Sequence, residues 1–373
     1  MKKNSLQFKH SKTGTLGVEM EWITVDTNNG AQIGAAPKFL ASIEHSPRIK
    51  PELFTSTVEL NTDIHHATIN CMEEMQSLYQ QASDKLQLQN VALLSSGTHP
   101  FSRWQEQSIS EDPRYARLVE RLQWVARRFN IFGVHVHIGM PDGDTCISTM
   151  NRLLPIMPVF LAMSANSPFW CGHDTGLSST RIKIFEGLSQ GGMPFYFENW
   201  QDFCHCAERL IATRSIDSVR DIWWEMRPHP DFGTLEIRIG DMPASKADAT
   251  AYVAYVRAEC MAAGNLPESP RTHPSLIREN RWRACRYGVQ ATMISPETEK
   301  LVPILDWLES RLPLLAEHGA DQRDIDLVTE HLPRLRKRCG GASIQRQLMK
   351  KLDSLPNLIS TLRQQDGWSS NVI

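Results

Sequence analysis

The stretch LGVEMEW, residues 16–22, places two glutamates one residue apart in an otherwise apolar segment. Side chains alternate faces along a strand, so Glu19 and Glu21 share one face and Val18, Met20 and Trp22 share the other. The apolar side fits a core. The acidic side sets two carboxylates about 7 Å apart, which repel unless a cation sits between them or water solvates them. Taken alone, the segment reads as an edge strand with a solvated, charged face.

The same device recurs downstream. FGVHVHIG (132–139) puts His135 and His137 on one face, with Val134, Val136 and Ile138 on the other. TLEIRIGD (234–241) puts Glu236 and Arg238 on one face, opposite Leu235 and Ile237. Glu59 in TVELNTD (57–63) follows Glu52 in PELF (51–54) by seven residues. Each has a plain reading as surface charge, and a lone histidine between valines is usually a satisfied core residue. If these segments share a sheet, however, their polar faces converge into one site.

The chemistry of such a site follows from its ligands. The four glutamates Glu19, Glu21, Glu59 and Glu236 carry more negative charge than one divalent ion neutralises. Carboxylate-rich sites suit Mg2+ or Mn2+, and Mg2+ is usually shared with substrate phosphates. A strand arginine beside the acids meets a phosphoryl oxygen bidentately. The residues therefore predict a nucleotide site on a sheet, holding two or more magnesium ions. It needs no Walker loop, and the sequence has neither a Gly-Lys dipeptide nor a G-x-G.

Composition narrows the class. The chain has 373 residues, 41% hydrophobic and 22% charged, enough to bury a substantial core without disulfide staples. A net charge of −2 gives no sign of a nucleic-acid or membrane-surface partner. Of the 8 cysteines only Cys204-His205-Cys206 is a tight pair, and no second pair completes a zinc site. Reduced, mostly buried thiols are expected. The start, MKKNSLQFKHSK, has no apolar run of the kind a signal peptide carries. No segment reaches the roughly 18 apolar residues of a membrane span. A cytoplasmic protein is the expectation.

Hydrophobic spacing predicts strands over 16–25, 58–60, 92–97, 129–139, 222–227 and 234–239. Helices are predicted over 73–91, 113–128, 200–213 and 246–263, and over 150–165 with a bend at Pro155 and Pro158. From Glu297 onward the pattern is helical. Several joins look like hairpins, so the expected class is α+β with a mainly antiparallel sheet.

Seven segments in order carry a resemblance: TLGVEME (15–21), PELFTSTVELNTD (51–63), SSGTHPF (95–101), FGVHVHIG, SSTRIKIF (178–185), MRPHPDFGTLEIRIGD (226–241) and ENRWRACRYG (279–288). Together they resemble the glutamate–cysteine ligase type 2 family, also called carboxylate–amine ligases, within the glutamine-synthetase-like superfamily. The resemblance implies a curved antiparallel sheet of about six strands, its concave face the active site and helices on its outer face. It implies a single catalytic domain over 1–373, with a motif-bearing core over 1–290 and a helical C-terminal part over 297–373. It also implies that ATP phosphorylates a carboxylate and that an amine, of cysteine or another molecule, then attacks the acyl phosphate.

Residue roles follow from the same resemblance. Glu19 and Glu21 would ligate different Mg2+ ions, Glu59 and Glu52 completing the one nearer the substrate. His135 and Glu236 would hold the ion that bridges the phosphates, and His137 would contact the phosphates. Arg238 would stabilise the phosphoryl group in flight. Arg227 and Arg181 would contact phosphate or substrate carboxylate, and Arg283 and Arg286 would be further active-site arginines. The partners implied are small molecules, an amino-acid carboxylate and an amine. A homodimer is common among such enzymes, and the sequence neither supports nor opposes one.

Other readings fit less well. Gly187-Leu188-Ser189-Gln190-Gly191 matches G-x-S-x-G, but a hydrolase elbow needs a strand before it and a helix after it, and Gly192-Met193-Pro194 is no such helix start. The histidine pair alone would suit a metal-dependent amidohydrolase, which the glutamate-rich first strand fits poorly. A nucleotide-binding regulator without turnover, or a guanidino-kinase-like phosphotransferase, would keep the same ligands.

Overall fold

The computed structural model describes residues 6–368. Residues 1–5 of the MKKNSLQFKHSK segment and 369–373 of the C-terminal part lie outside the described residues.

Seven strands form one antiparallel sheet: β1 (Leu16–Asp26), β2 (Ile49–Pro51), β3 (Thr57–Asn61), β4 (Val91–Leu94), β5 (Gly133–Gly139), β6 (Met226–His229) and β7 (Thr234–Asp241). Their order is β6-β7-β5-β1-β3-β2, and β4 pairs with the far half of β1. β1 is the hub. Its residues 19–23 pair with β3, and its residues 16–20 pair with β5. It ends where the Asp26 carboxylate accepts the backbone N–H of Asn28 at 2.8 Å and Gly30 turns at φ +70°, the turn expected from Asn28-Asn29-Gly30.

The alternation in LGVEMEW is realised as read. Val18, Met20 and Trp22 are buried in the core, and Glu19 and Glu21 are partly exposed on the opposite face. Val134, Val136, Ile138, Leu235 and Ile237 join that core. Helices Thr68–Gln87, Met157–Ser164 and Lys246–Ala262 cover it. Each fully buried aliphatic side chain contributes about 1.5–3 kcal/mol, so this face fixes the register, because a one-residue slip would bury the glutamates instead. Helices Ile304–Glu317 and Gln322–Arg338 pack on Lys246–Ala262 as a further layer.

Several boundaries differ from expectation. The sheet has seven strands where about six were expected. The helix expected at 113–128 is two, Pro113–Leu122 and Trp124–Arg127, because Gln123 turns at φ +50°. The helix expected at 73–91 runs over Thr68–Gln87, and Asn90 at φ +57° turns the chain into β4. The proline pair divides the helix expected at 150–165 into Gly143–Leu153 and Met157–Ser164, bent by 69°. A small hairpin, Thr292–Ile294 with Leu301–Pro303, interrupts the helical C-terminal pattern. Among the described residues no single helix is long and apolar enough to cross a membrane.

Candidate active site

The polar face of the sheet is assembled by cross-strand register. Glu21 lies opposite Glu59, Glu19 opposite His135, His137 opposite Glu236, and Glu236 opposite Arg227. Arg238 shares the face two residues beyond Glu236, inside the register shift between Ile237 and Gly240. These residues, with Glu52 and Arg181, line one cavity of about 260 Å³.

Two groups of candidate ligands stand in it. The side-chain donor atoms of Glu21, Glu52 and Glu59 lie within 4.8 Å of one another, as do those of Glu19, His137 and Glu236. Glu19 and Glu21, expected to ligate different ions, fall in different groups, and Glu52 and Glu59 stand with Glu21. The histidines differ. His137, not His135, stands with Glu19 and Glu236, its Nε2 at 3.5 Å and 3.8 Å from their carboxylates. The register explains the exchange, since β7 places Glu236 directly opposite His137. His135 lies between the groups, Nδ1 at 3.2 Å from Glu19 and Nε2 at 4.0 Å from Glu21.

The two groups have opposite electrostatics. Burial and the neighbouring Glu52 push Glu21 up to about 7, against Arg181 and Arg238. Burial, Glu19 and Glu52 hold Glu59 well above the usual carboxylate range. In the other group burial would raise Glu19, but the neighbouring His135 and His137 hold it well below that range. Burial would likewise raise Glu236, and Arg227 and Arg238 outweigh it. His137 is raised because Glu236 and Glu19 overcome its burial, whereas burial and Arg238 take His135 down to about 4.

This donor set fits divalent cations. Three carboxylates forced together want positive charge, and an all-oxygen group suits Mg2+ or Mn2+. The buried Nε2 atoms of His135 and His137 have no hydrogen-bond partner among the described residues. An orphaned buried nitrogen calls for a partner, and a cation held by the neighbouring carboxylates would supply one.

The arginines divide into those at the site and those outside it. Arg227 donates from Nε to Glu236 at 2.7 Å and from Nη1 to the carbonyls of Arg220 and Ile222 at 2.9 Å and 2.6 Å. Arg238 donates to the other oxygen of Glu236 and keeps an unpartnered Nε. Arg181 donates to the carbonyls of Ile239 and Arg238 at 3.3 Å and 3.2 Å, and its Nε is also unpartnered. Gly133 permits this approach, since a Cβ there would lie 2.2 Å from the Arg181 guanidinium. Arg283 and Arg286 do not line the cavity. Arg283 pairs with Glu279 at 2.7 Å on its own helix, Pro274–Tyr287, and Arg286 donates to the carbonyl of Gly176. The buried arginine of ENRWRACRYG is Arg281, bound through Nε and Nη2 to the buried Glu225.

The cavity also takes residues that sequence reasoning missed. Lys50 stands 3.9 Å from Glu59, a pairing set by the β2–β3 register. Tyr115 and Arg114 come from the helix at 113–122. Trp223, His229 and Phe232 flank the β6–β7 hairpin. Only the last two lay in a quoted motif, and their spacing carried no periodic signal. Ser189 is exposed in a turn between the helix Arg181–Phe185 and the short strand Gly191–Gly192, the wrong context for a nucleophile elbow.

Comparison with known proteins identifies the family. The family model "Glutamate-cysteine ligase family 2(GCS2)" matches residues 15–368. The chain is 39% identical over 372 residues to the "Putative glutamate--cysteine ligase 2" of Gloeobacter violaceus, covering 96% of this chain and 98% of the relative. It is 36% identical over 375 residues to the protein of the same name from Bdellovibrio bacteriovorus, covering 97% of each. Among solved structures, the fold is similar to glutamate–cysteine ligase from Francisella tularensis in complex with AMP. That match has a TM-score of 0.71 and 12% identity, over 96% of this chain and 90% of the other. A bifunctional glutathione synthetase from Pasteurella multocida matches with a TM-score of 0.68 and 13% identity, over 94% of this chain and 52% of the other. From its cross-strand glutamates to its C-terminal helices, the chain belongs to glutamate–cysteine ligase family 2.

Proposed function

We propose that the protein is an ATP-dependent carboxylate–amine ligase working through an acyl phosphate. The observation that carries this reading is the presence of two ligand groups, Glu21–Glu52–Glu59 and Glu19–His137–Glu236, in one cavity with Arg181, Arg227 and Arg238. The names of the relatives point to glutamate and cysteine; on this reading a glutamate side-chain carboxylate is the donor and the amine of cysteine, or another amine, the acceptor.

A carboxylate is a poor electrophile, and phosphorylation gives it a leaving group. A carboxylate oxygen attacks the γ-phosphorus of ATP, and the bond to ADP breaks. The amine nitrogen then attacks the acyl carbon, phosphate departs, and the nitrogen loses a proton to solvent. Catalysis of this kind is mostly charge neutralisation and positioning. Mg2+ or Mn2+ held by the two groups would neutralise phosphate charge and polarise phosphoryl oxygens. Arg238 would donate to the transferring phosphoryl group. Arg227 and Arg181 hold further positive charge around it. On this reading residues 1–290 and 297–373 act as one catalytic domain.

The test is ADP release from ATP and Mg2+ with L-glutamate fixed and amines, L-cysteine among them, added singly. Release that depends on one amine, with an amide product by mass, bears the reading out. A stable phosphorylated product without any amine favours the phosphotransferase. ATP binding without release under any pairing favours the regulator.

A further inference from the structure

The hairpin between β6 and β7 presents an aromatic pair at the rim of the cavity. His229 and Phe232 stack with ring centroids 4.1 Å apart and planes within 9°. His229 is buried, while Phe232 is 53% exposed, so one face of its ring is covered and a surface remains open. Both line the cavity. His137 of the Glu19–His137–Glu236 group lies 5.7 Å from the His229 ring and 5.6 Å from the Phe232 ring. An open aromatic surface thus adjoins the ligand group that would hold phosphate-bound metal.

The pair is held in place rather than left as a loose tip. Lys9 donates its backbone N–H to the Pro230 carbonyl at 2.9 Å, and the Ser11 hydroxyl donates to the Phe232 carbonyl at 2.7 Å. Met140 donates to the Gly233 carbonyl at 2.9 Å, and Arg220 bridges to Asp231 at 2.9 Å. Gly233 sits at φ +65° with a Cβ position 2.1 Å from the Lys9 carbonyl, so no other residue lets the N-terminal segment press so closely.

We propose that the His229–Phe232 pair is the platform on which the nucleobase of the nucleotide stacks. This rests on the ATP-dependent reading above and adds the orientation of the nucleotide. The base lies at the β6–β7 hairpin and the phosphates run inward over His137 and Glu236. The carboxylate substrate is left the opposite end of the cavity, beside Glu52, Lys50 and Tyr115. Base–aromatic stacking tolerates any base, so the platform accepts GTP about as well as ATP.

The experiment compares ATP with inorganic tripolyphosphate, both with Mg2+, by calorimetry on the full chain and on Phe232→Ala and Phe232→Trp. Phe232 is exposed, so both variants keep the fold. Circular dichroism checks this. The platform predicts that the wild type prefers ATP to tripolyphosphate. Phe232→Ala then weakens ATP binding by about tenfold and leaves tripolyphosphate within about twofold, and Phe232→Trp restores ATP binding. Equal weakening of both ligands, or of neither, overturns the platform while the ATP site stands. A wild type that binds neither ligand overturns both readings.

Discussion

Glu21 on β1 and Glu59 on β3 are direct cross-strand partners, the position in which like charges destabilise a sheet. Glu52 closes on both, so three carboxylates share one small volume. Lys50, Arg181 and Arg238 offset part of this charge, and protons or a cation offset the rest.

Protons are the first alternative, and they make stability depend on pH. Glu21 is raised to about 7 and Glu59 well above the usual range, so the folded chain binds protons that the unfolded chain has released above about pH 4.3. Above about pH 6.5, where the lowered His135 is neutral whether folded or unfolded, the native state holds more protons, and stability falls as pH rises towards about 8. A divalent cation reverses this by favouring the charged forms. With EDTA present, the melting temperature is expected to drop across that range. Mg2+ or Mn2+ should stabilise the fold more at the alkaline end, by about 2.7 kcal/mol at a hundredfold excess over Kd, and so raise the melting temperature most there. Glu59→Gln should flatten the slope. A cation effect of equal size at every pH would argue against this grouping.

Arg238 and Glu236 separate catalysis from folding. Arg238→Ala removes one donor to the phosphoryl group and should lower kcat by about 10² to 10³. Arg227 still pairs with Glu236, so most of the stability is kept. Glu236→Gln is different. It removes a candidate metal ligand and also leaves Arg227 and Arg238 buried without their counter-charge. Breaking such a pair costs about 3–5 kcal/mol, so this variant should lose activity and melt earlier. Turnover unchanged in both variants would move the active site off this face.

The arginines of ENRWRACRYG should sort by burial. Arg283→Ala and Arg286→Ala remove contacts away from the cavity, and each is expected to keep kcat and KM within about threefold, with a stability change near 0.5 kcal/mol. Arg281→Ala strands the buried Glu225 and should cost about 3–5 kcal/mol. Steady-state kinetics and melting curves on the three variants check the order.

Ser189→Ala should leave turnover at wild-type level, because the hydroxyl is exposed in a turn with no strand before it. Activity lost in that variant, in the same amine-dependent assay, would revive a nucleophilic serine.

The sequence by itself determined which side chains share a face. Period-two alternation in LGVEMEW, FGVHVHIG and TLEIRIGD is a local property of extended backbone, and burying Val18, Val136 and Ile237 leaves Glu19, His135 and Glu236 nowhere but the other side. What alternation does not carry is register between strands far apart in the chain. Only the tertiary structure decided that Glu236 faces His137, that Lys50 reaches Glu59, and that Arg281 rather than Arg283 turns inward. The helix at 113–122 and the β6–β7 hairpin brought Tyr115, His229 and Phe232 to the same cavity. Those positions depend on contacts between segments distant in the chain, such as Tyr115 with Glu52 and Lys9 with Pro230, which no local period records.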